Sequence, residues 1–308
     1  MIYATINQNG KEKISCIDRV GNRVFLLEDF FSSDVEELNI TSNQVKNVPE
    51  TMNQFIAGYQ DQWTDDIALF FGCNPELSKP LEEVQILAPI PVPTRNILCL
   101  GKNYADHAKE IHGMTGGPAE VPKRPIYFTK ATHTVIGTGQ NILAHEEVTK
   151  KIDYEVELGI VIGRGGINIR PEDAENHIFG YTIGNDISAR DLQTEHVQWY
   201  KGKSLTTHCP LGPWIVHKSV LPLPLDLEIK SYVNGELRQD GNTKDLIFDI
   251  PTIISDLSQG YELHPGDIIL TGTPAGVGMG FNPPKFLKPG DEVCCMIENI
   301  GSLINVVQ

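Results

Sequence analysis

The segment 151-KIDYEVELGIVIG-163 decides how the rest of the chain is read. Its second half, "LGIVIG", has the composition and length of a buried strand. Its first half places carboxylates at Asp153, Glu155 and Glu157. Strand side chains alternate faces, so these three share one face while Tyr154, Val156 and Leu158 take the other. Like charges on a sheet that is to be buried need something positive to offset them. The all-oxygen set suits a hard divalent cation, Mg²⁺ or Mn²⁺ rather than Zn²⁺. A half-exposed strand laced with salt bridges fits the same spacing.

Working outward, 308 residues allow one large core or two domains. The net charge of −15 argues against a nucleic-acid groove and against docking on an anionic membrane. The opening "MIYATINQNG" has no apolar signal segment, and no apolar run is long enough to span a bilayer. A cytoplasmic protein is expected. None of the six cysteines forms a C-x-x-C pair, so buried free thiols are expected rather than a disulfide framework.

A small N-terminal α+β domain is expected over 1–88. It would hold short strands in "MIYATI" and "KISCIDRVGNRVFLLED" and a helix-compatible stretch from Val45 to Phe71, interrupted at Gly58. Spaced prolines at 89, 91 and 93 mark 89–96 as a linker. The domain 97–308 reads as mainly β, with many short strands and few helices, at Tyr104–His112, Pro171–Asn176 and "IPTIISDLSQG". "HPGD" at 264–267 and "KPGD" at 288–291 carry type II turn chemistry. This pattern predicts a mixed β barrel or sandwich, not a doubly wound sheet.

Further charged residues cluster in motifs. The apolar run "FGYTIG" ends in Asn185–Asp186, which puts a carboxylate at a strand end. Arg190 and Gln193 follow at helical spacing, and Lys203 lies in "KGKSL". His107 and Glu110 are three apart on an expected helix, where Glu110 could orient the imidazole. Taken singly, each of these reads equally as a surface charge. "TGTPAGVGMG" lacks the G-K-[ST] of a phosphate loop, and "VIGRGG" opens no convincing helix, so neither is a nucleotide motif.

In order along the chain, "GKNYADHAKE", "PIYFTK", "DYEVELGIVIG", "GYTIGNDISARDLQ", "KGKSL", "CPLGPWIV" and "ILTGTPAGVG" together resemble the fumarylacetoacetate hydrolase (FAH) superfamily. Its oxaloacetate decarboxylase, acylpyruvate hydrolase and 5-carboxymethyl-2-hydroxymuconate isomerase group is the most similar. The resemblance implies a mixed β-roll, an incomplete barrel with few helices. It implies Mg²⁺ or Mn²⁺ held by Glu155, Glu157 and Asp186, substrate contacts from Arg190, Gln193, Lys203 and Thr273, and Lys130 beside the metal. His107 and Glu110 match the catalytic H-x-x-E pair of a lid helix, and "HGMTGGPAEVP" after it reads as a lid or a surface loop. The expected activity is metal-dependent C–C cleavage of a 2-oxo acid through a metal-stabilised enolate, as oxaloacetate decarboxylation or acylpyruvate hydrolysis. A hydroxymuconate-type isomerase and a ligand-sensing pseudo-enzyme are the alternatives. A small-molecule 2-oxo acid is the expected partner, and the resemblance suggests a homodimer.

Overall fold

The computed structural model describes residues 1–33, 48–111 and 121–308. The helix-compatible residues 45–47 and most of "HGMTGGPAEVP" (112–120) lie outside the described residues, so the lid reading is not addressed by the structure.

The segment quoted first becomes the strand Val156–Ile162, every residue of it buried. Asp153 falls in a separate short strand, Ile152–Asp153. The Glu155 N–H donates to Asn185 Oδ1 and the Val156 N–H to Gln239 Oε1, so side chains replace the ladder there. Alternation then sorts the two faces. Tyr154, Val156, Leu158, Ile160 and Ile162 enter one apolar core, and Val161 enters another.

This strand sits inside a twelve-stranded mixed sheet. The order runs through Arg23–Leu26, Lys11–Asp18, Ile2–Gln8, Cys209–His217, Ile178–Asn185, Val156–Ile162, Ile268–Leu270 and Ile97–Gly101 to Ile126–Lys130. The two ends of that path do not pair with each other among the described residues, so the sheet does not close into a barrel. A second, antiparallel sheet holds Glu236–Asn242, Glu228–Val233, Glu292–Ile297 and Gly301–Val306. Leu158, Ile160 and Ile183 of the first sheet share a core with Ile229, Val293 and Leu303 of the second. The fold is α+β, mainly β, as the sequence suggests.

The helix Ile250–Leu257 starts where the Asp249 side chain accepts from the Thr252 N–H, with Pro251 in its first turn. It buries Ile253 and Ile254 in the inter-sheet core. Both expected Pro-Gly turns form, with Gly266 at φ +86° and Gly290 at φ +92°. In each, the following Asp accepts from the first residue's N–H: Asp267 from His264 at 2.7 Å, Asp291 from Lys288 at 2.8 Å.

At the N-terminus, helices Met52–Gly58 and Trp63–Cys73 flank the break near Gly58. Strand Ile2–Gln8 pairs with Cys209–His217, and Thr5 Oγ1 donates to Pro89 O at 2.7 Å. Phe55, Trp63 and Ile67 share an apolar cluster with Cys99, Val161 and Phe179, across the 89–96 segment. Cys16, Cys99, Cys209 and Cys295 are buried free thiols, whereas Cys73 is exposed and Cys294 half-buried. Among the described residues no helix is long and apolar enough to cross a membrane.

Candidate active site

Neighbouring antiparallel strands bring the three carboxylates together. Val156 faces Asn185 and Glu157 faces Gly184 across the ladder, so Asp186 emerges beside Glu155. The Asp186 N–H donates to Glu155 O at 2.9 Å. One oxygen from each of Glu155, Glu157 and Asp186 lies within 4.8 Å of the others, and all three side chains are buried.

Cations surround this triad. Lys130 Nζ donates to Asp186 Oδ1 at 2.5 Å and to Ile187 O at 3.0 Å. Lys203 Nζ bridges Glu155 Oε2 at 2.5 Å and Asp186 Oδ2 at 2.6 Å. Arg190 Nε donates to Asp153 Oδ2 at 2.9 Å and Nη1 to Gln193 Oε1 at 3.1 Å. Its Nη2 makes an ion-pair contact with Glu155 Oε1 at 2.7 Å, off the line of a hydrogen bond.

Four buried carboxylates (Asp153, Glu155, Glu157, Asp186) thus face three buried cations (Lys130, Arg190, Lys203), one negative charge in excess. The excess falls on Glu157. Burial works to raise the Glu155 carboxyl, but Arg190, Lys203 and His107 hold it well below the usual carboxylate range. Glu157 is pushed well above that range by burial, then by Asp186 and Glu155. Burial opposes the Lys203 charge, yet Asp186 and Glu155 keep its pKa raised. An all-oxygen, buried donor set with surplus negative charge fits a hard divalent cation.

The glycine-rich segment set aside as a nucleotide motif proves to be the cradle of the acidic groups. Gly272 N donates to Glu157 Oε2 at 2.7 Å, and Gly276 N to Glu110 Oε1 at 2.9 Å. Gly278 N and Met279 N donate to the Asp153 carboxylate at 2.6 and 3.0 Å. Glycine is required at 272, where φ is +95° and a Cβ would lie 2.9 Å from Asn103 Cβ. At Gly276 a Cβ would meet Arg238 O at 2.0 Å.

His107 and Glu110 lie on the short helix Ala105–Glu110. His107 is buried, and its Nδ1 donates to Glu110 Oε2 at 3.2 Å. A carboxylate only accepts, so Nδ1 carries the proton and Nε2 is left for another partner.

A narrow cleft opens on the assembly. Of the ten residues expected from sequence, His107, Glu155, Glu157, Arg190, Gln193, Lys203 and Thr273 line it. Asp186 and Glu110 stand one contact behind, joined through Lys203 and His107, and Lys130 stands behind Asp186. Thr273 Oγ1 donates to Val156 O at 2.8 Å and accepts from Gln239 Nε2 at 2.6 Å. The sequence reading did not single out Lys102, Phe128 or Trp199, which also line the cleft, nor the anchoring role of Asp153.

Residues 96–308 match the family described as fumarylacetoacetate (FAA) hydrolase, C-terminal. The chain belongs to this family of enzymes. Oxaloacetate tautomerase YisK of Bacillus subtilis strain 168 is 54% identical over 227 residues, 74% of each chain. A fumarylacetoacetate hydrolase from Exiguobacterium antarcticum superposes with a TM-score of 0.81 at 36% identity, covering 100% of this chain and 99% of that one. Maleylpyruvate hydrolase from Sphingobium sp. SYK-6, in complex with manganese(II) and pyruvate, superposes with a TM-score of 0.74 at 26% identity, covering 100% and 98%.

Proposed function

We propose that this chain interconverts the enol and keto forms of oxaloacetate, or of a closely related short 2-oxo diacid, with Mg²⁺ or Mn²⁺ held by Glu155, Glu157 and Asp186. The observation that carries the reading is the buried carboxylate triad with the His107–Glu110 pair on one cleft. The 54% identity to an oxaloacetate tautomerase supports the choice of substrate.

When bound, the cation supplies Lewis-acid polarisation of the 2-oxo group. The chain's own residues do the rest. Tautomerisation moves one proton between C3 and the C2 oxygen. His107, its ring held through Nδ1 by Glu110, takes the C3 proton at Nε2 and delivers it to the C2 oxygen, and in the reverse direction carries the enol proton from that oxygen to C3. Glu110 offsets the charge of the imidazolium that forms. Lys130, Arg190 and Lys203 offset three of the four buried carboxylates and so limit the repulsion that the incoming anion meets. Gln193 and Thr273 place polar atoms on the cleft wall to orient the substrate.

C–C cleavage is the second reading. The His107–Glu110 pair that moves a proton would equally activate water against an acylpyruvate, and loss of CO₂ from keto oxaloacetate would leave a pyruvate enolate, to whose C3 the same pair would return a proton. Product analysis separates the two. With enolic oxaloacetate and Mn²⁺, loss of the enol absorbance should outrun pyruvate release by at least about 10²-fold, the low end of what a placed acid–base group contributes. Pyruvate appearing as fast as the enol disappears would favour the lyase. The proposal includes a homodimer, which light scattering reads directly.

A further inference from the structure

Strand Ile97–Gly101 runs to the edge of the cleft, and the residue after it, Lys102, has φ +57°. Left-handed backbone is disfavoured for a residue with a Cβ. The turn is imposed by its neighbour. The buried Asn103 amide donates to Thr271 O at 2.9 Å and Phe248 O at 3.1 Å, and its Oδ1 accepts from Phe248 N at 2.8 Å. The Ile247 N–H binds Asn103 O at 2.8 Å. Glycine would occupy position 102 without strain, so what the lysine adds is its side chain.

That side chain carries a charge the site does not use. Lys130, Arg190 and Lys203 are each paired with carboxylates. Lys102 lines the same cleft and, among the described residues, makes no ion pair. The wall beside it is aromatic and close. Trp199 rests on Gly101, where a Cβ would lie 2.5 Å from Cζ3, and Trp199 meets Phe128 at 5.3 Å between ring centroids. The cleft therefore pairs an acidic, cation-lined floor with one unneutralised cation at its edge.

We infer that Lys102 determines specificity by taking the distal carboxylate of the substrate, which makes a short 2-oxo dicarboxylate preferred over a 2-oxo monoacid. The inference rests on the reading above, since it assumes that the 2-oxo carboxylate end faces the triad. A charge-assisted hydrogen bond to a carboxylate is strong enough to separate two such ligands by roughly tenfold or more. Lys102 acts on the non-reacting end, so its effect falls on binding.

Calorimetric titration of the Mn²⁺-loaded chain tests this with two probes, pyruvate and 3,3-difluoro-oxaloacetate. The second carries the distal carboxylate and cannot enolise, so binding is read apart from turnover. The wild-type chain should bind the diacid at least about tenfold more tightly than pyruvate. Lys102→Met should close that gap with pyruvate affinity unchanged within about twofold, and Lys102→Arg should keep most of it. Lys102→Gly should also close the gap while raising Tm, because it relieves the backbone. A gap that survives in Lys102→Met and Lys102→Gly, or an equal loss for both probes, overturns the inference. A wild-type gap without tautomerase activity would overturn the proposed reaction alone. Binding of neither probe to the wild type would overturn both.

Discussion

His107 Nδ1 lies 3.2 Å from Glu110 Oε2, and Glu110 is itself held by the Gly276 N–H at 2.9 Å. The loop N–H thus holds the carboxylate, and the carboxylate holds the imidazole. Glu110→Gln keeps a group that the loop can hold but removes the charge opposite the ring. It should lower kcat for enol–keto conversion by about 10²-fold or more, with a smaller change in KM. Steady-state kinetics on the purified variant checks this. An unchanged kcat would place the proton-transfer group elsewhere.

Burial and the neighbouring Asp186 and Glu155 disfavour a charge on Glu157, which makes its effects on binding and on stability opposite in sign. Folding raises its pKa above the ordinary 4.5, so the folded chain retains a proton there that the unfolded chain releases. That contribution is present below about pH 4.5 and is lost as pH rises toward the raised value. Glu155 behaves inversely, contributing above the ordinary carboxylate pKa and losing it as pH falls. Glu157→Gln should therefore raise the Tm of the metal-free chain at pH 8 while weakening Mn²⁺ binding by at least about tenfold. Calorimetric melts and Mn²⁺ titrations read the two effects. A variant that is less stable and binds Mn²⁺ equally well would refute the assignment.

Gly272 combines a positive φ with a close approach to Asn103 and donates to Glu157. Gly272→Ala should destabilise the chain by about 1–3 kcal/mol. It should also weaken Mn²⁺ binding, since the N–H that orients Glu157 moves. Denaturant melts together with Mn²⁺ titration measure both losses.

Asp153 joins the Arg190 guanidinium to the Gly278 and Met279 N–H groups in a fully buried position. Asp153→Ala leaves Arg190 Nε and the Tyr154, Gly278 and Met279 N–H groups without this acceptor. The expected cost is about 3–5 kcal/mol, read by chemical denaturation. Asp153→Asn should cost less, because its amide oxygen still accepts.

The acidic floor was legible because alternation and an abrupt strand end are local signals. Glu155 and Glu157 are two apart, and Asp186 closes an apolar run. The supports were less legible because they are distant in sequence. Glu157 and Gly272 are separated by 115 residues, and Val156 and Gln239 by 83. The glycine-rich segment lacks the G-K-[ST] of a phosphate loop, and nothing local shows that its N–H groups would hold carboxylates. Strand Gly301–Val306 went unnoticed because Asn305 is buried at an inward position, where its amide donates to Gly137 O and Gln140 O. A polar residue there breaks the apolar alternation that identifies a strand. Lys102 was hidden for another reason: its backbone conformation is imposed by Asn103 contacts across the fold.

The proposed enol–keto conversion requires a cation at the triad. The most direct measurement follows enolic oxaloacetate by absorbance with metal-stripped chain as Mn²⁺ is added back, for the wild type and for Asp186→Asn. Without metal no conversion above the uncatalysed rate is expected, with saturable recovery at one ion per chain and no recovery in Asp186→Asn. Full conversion by the stripped wild-type chain, or by Asp186→Asn, would contradict the proposal.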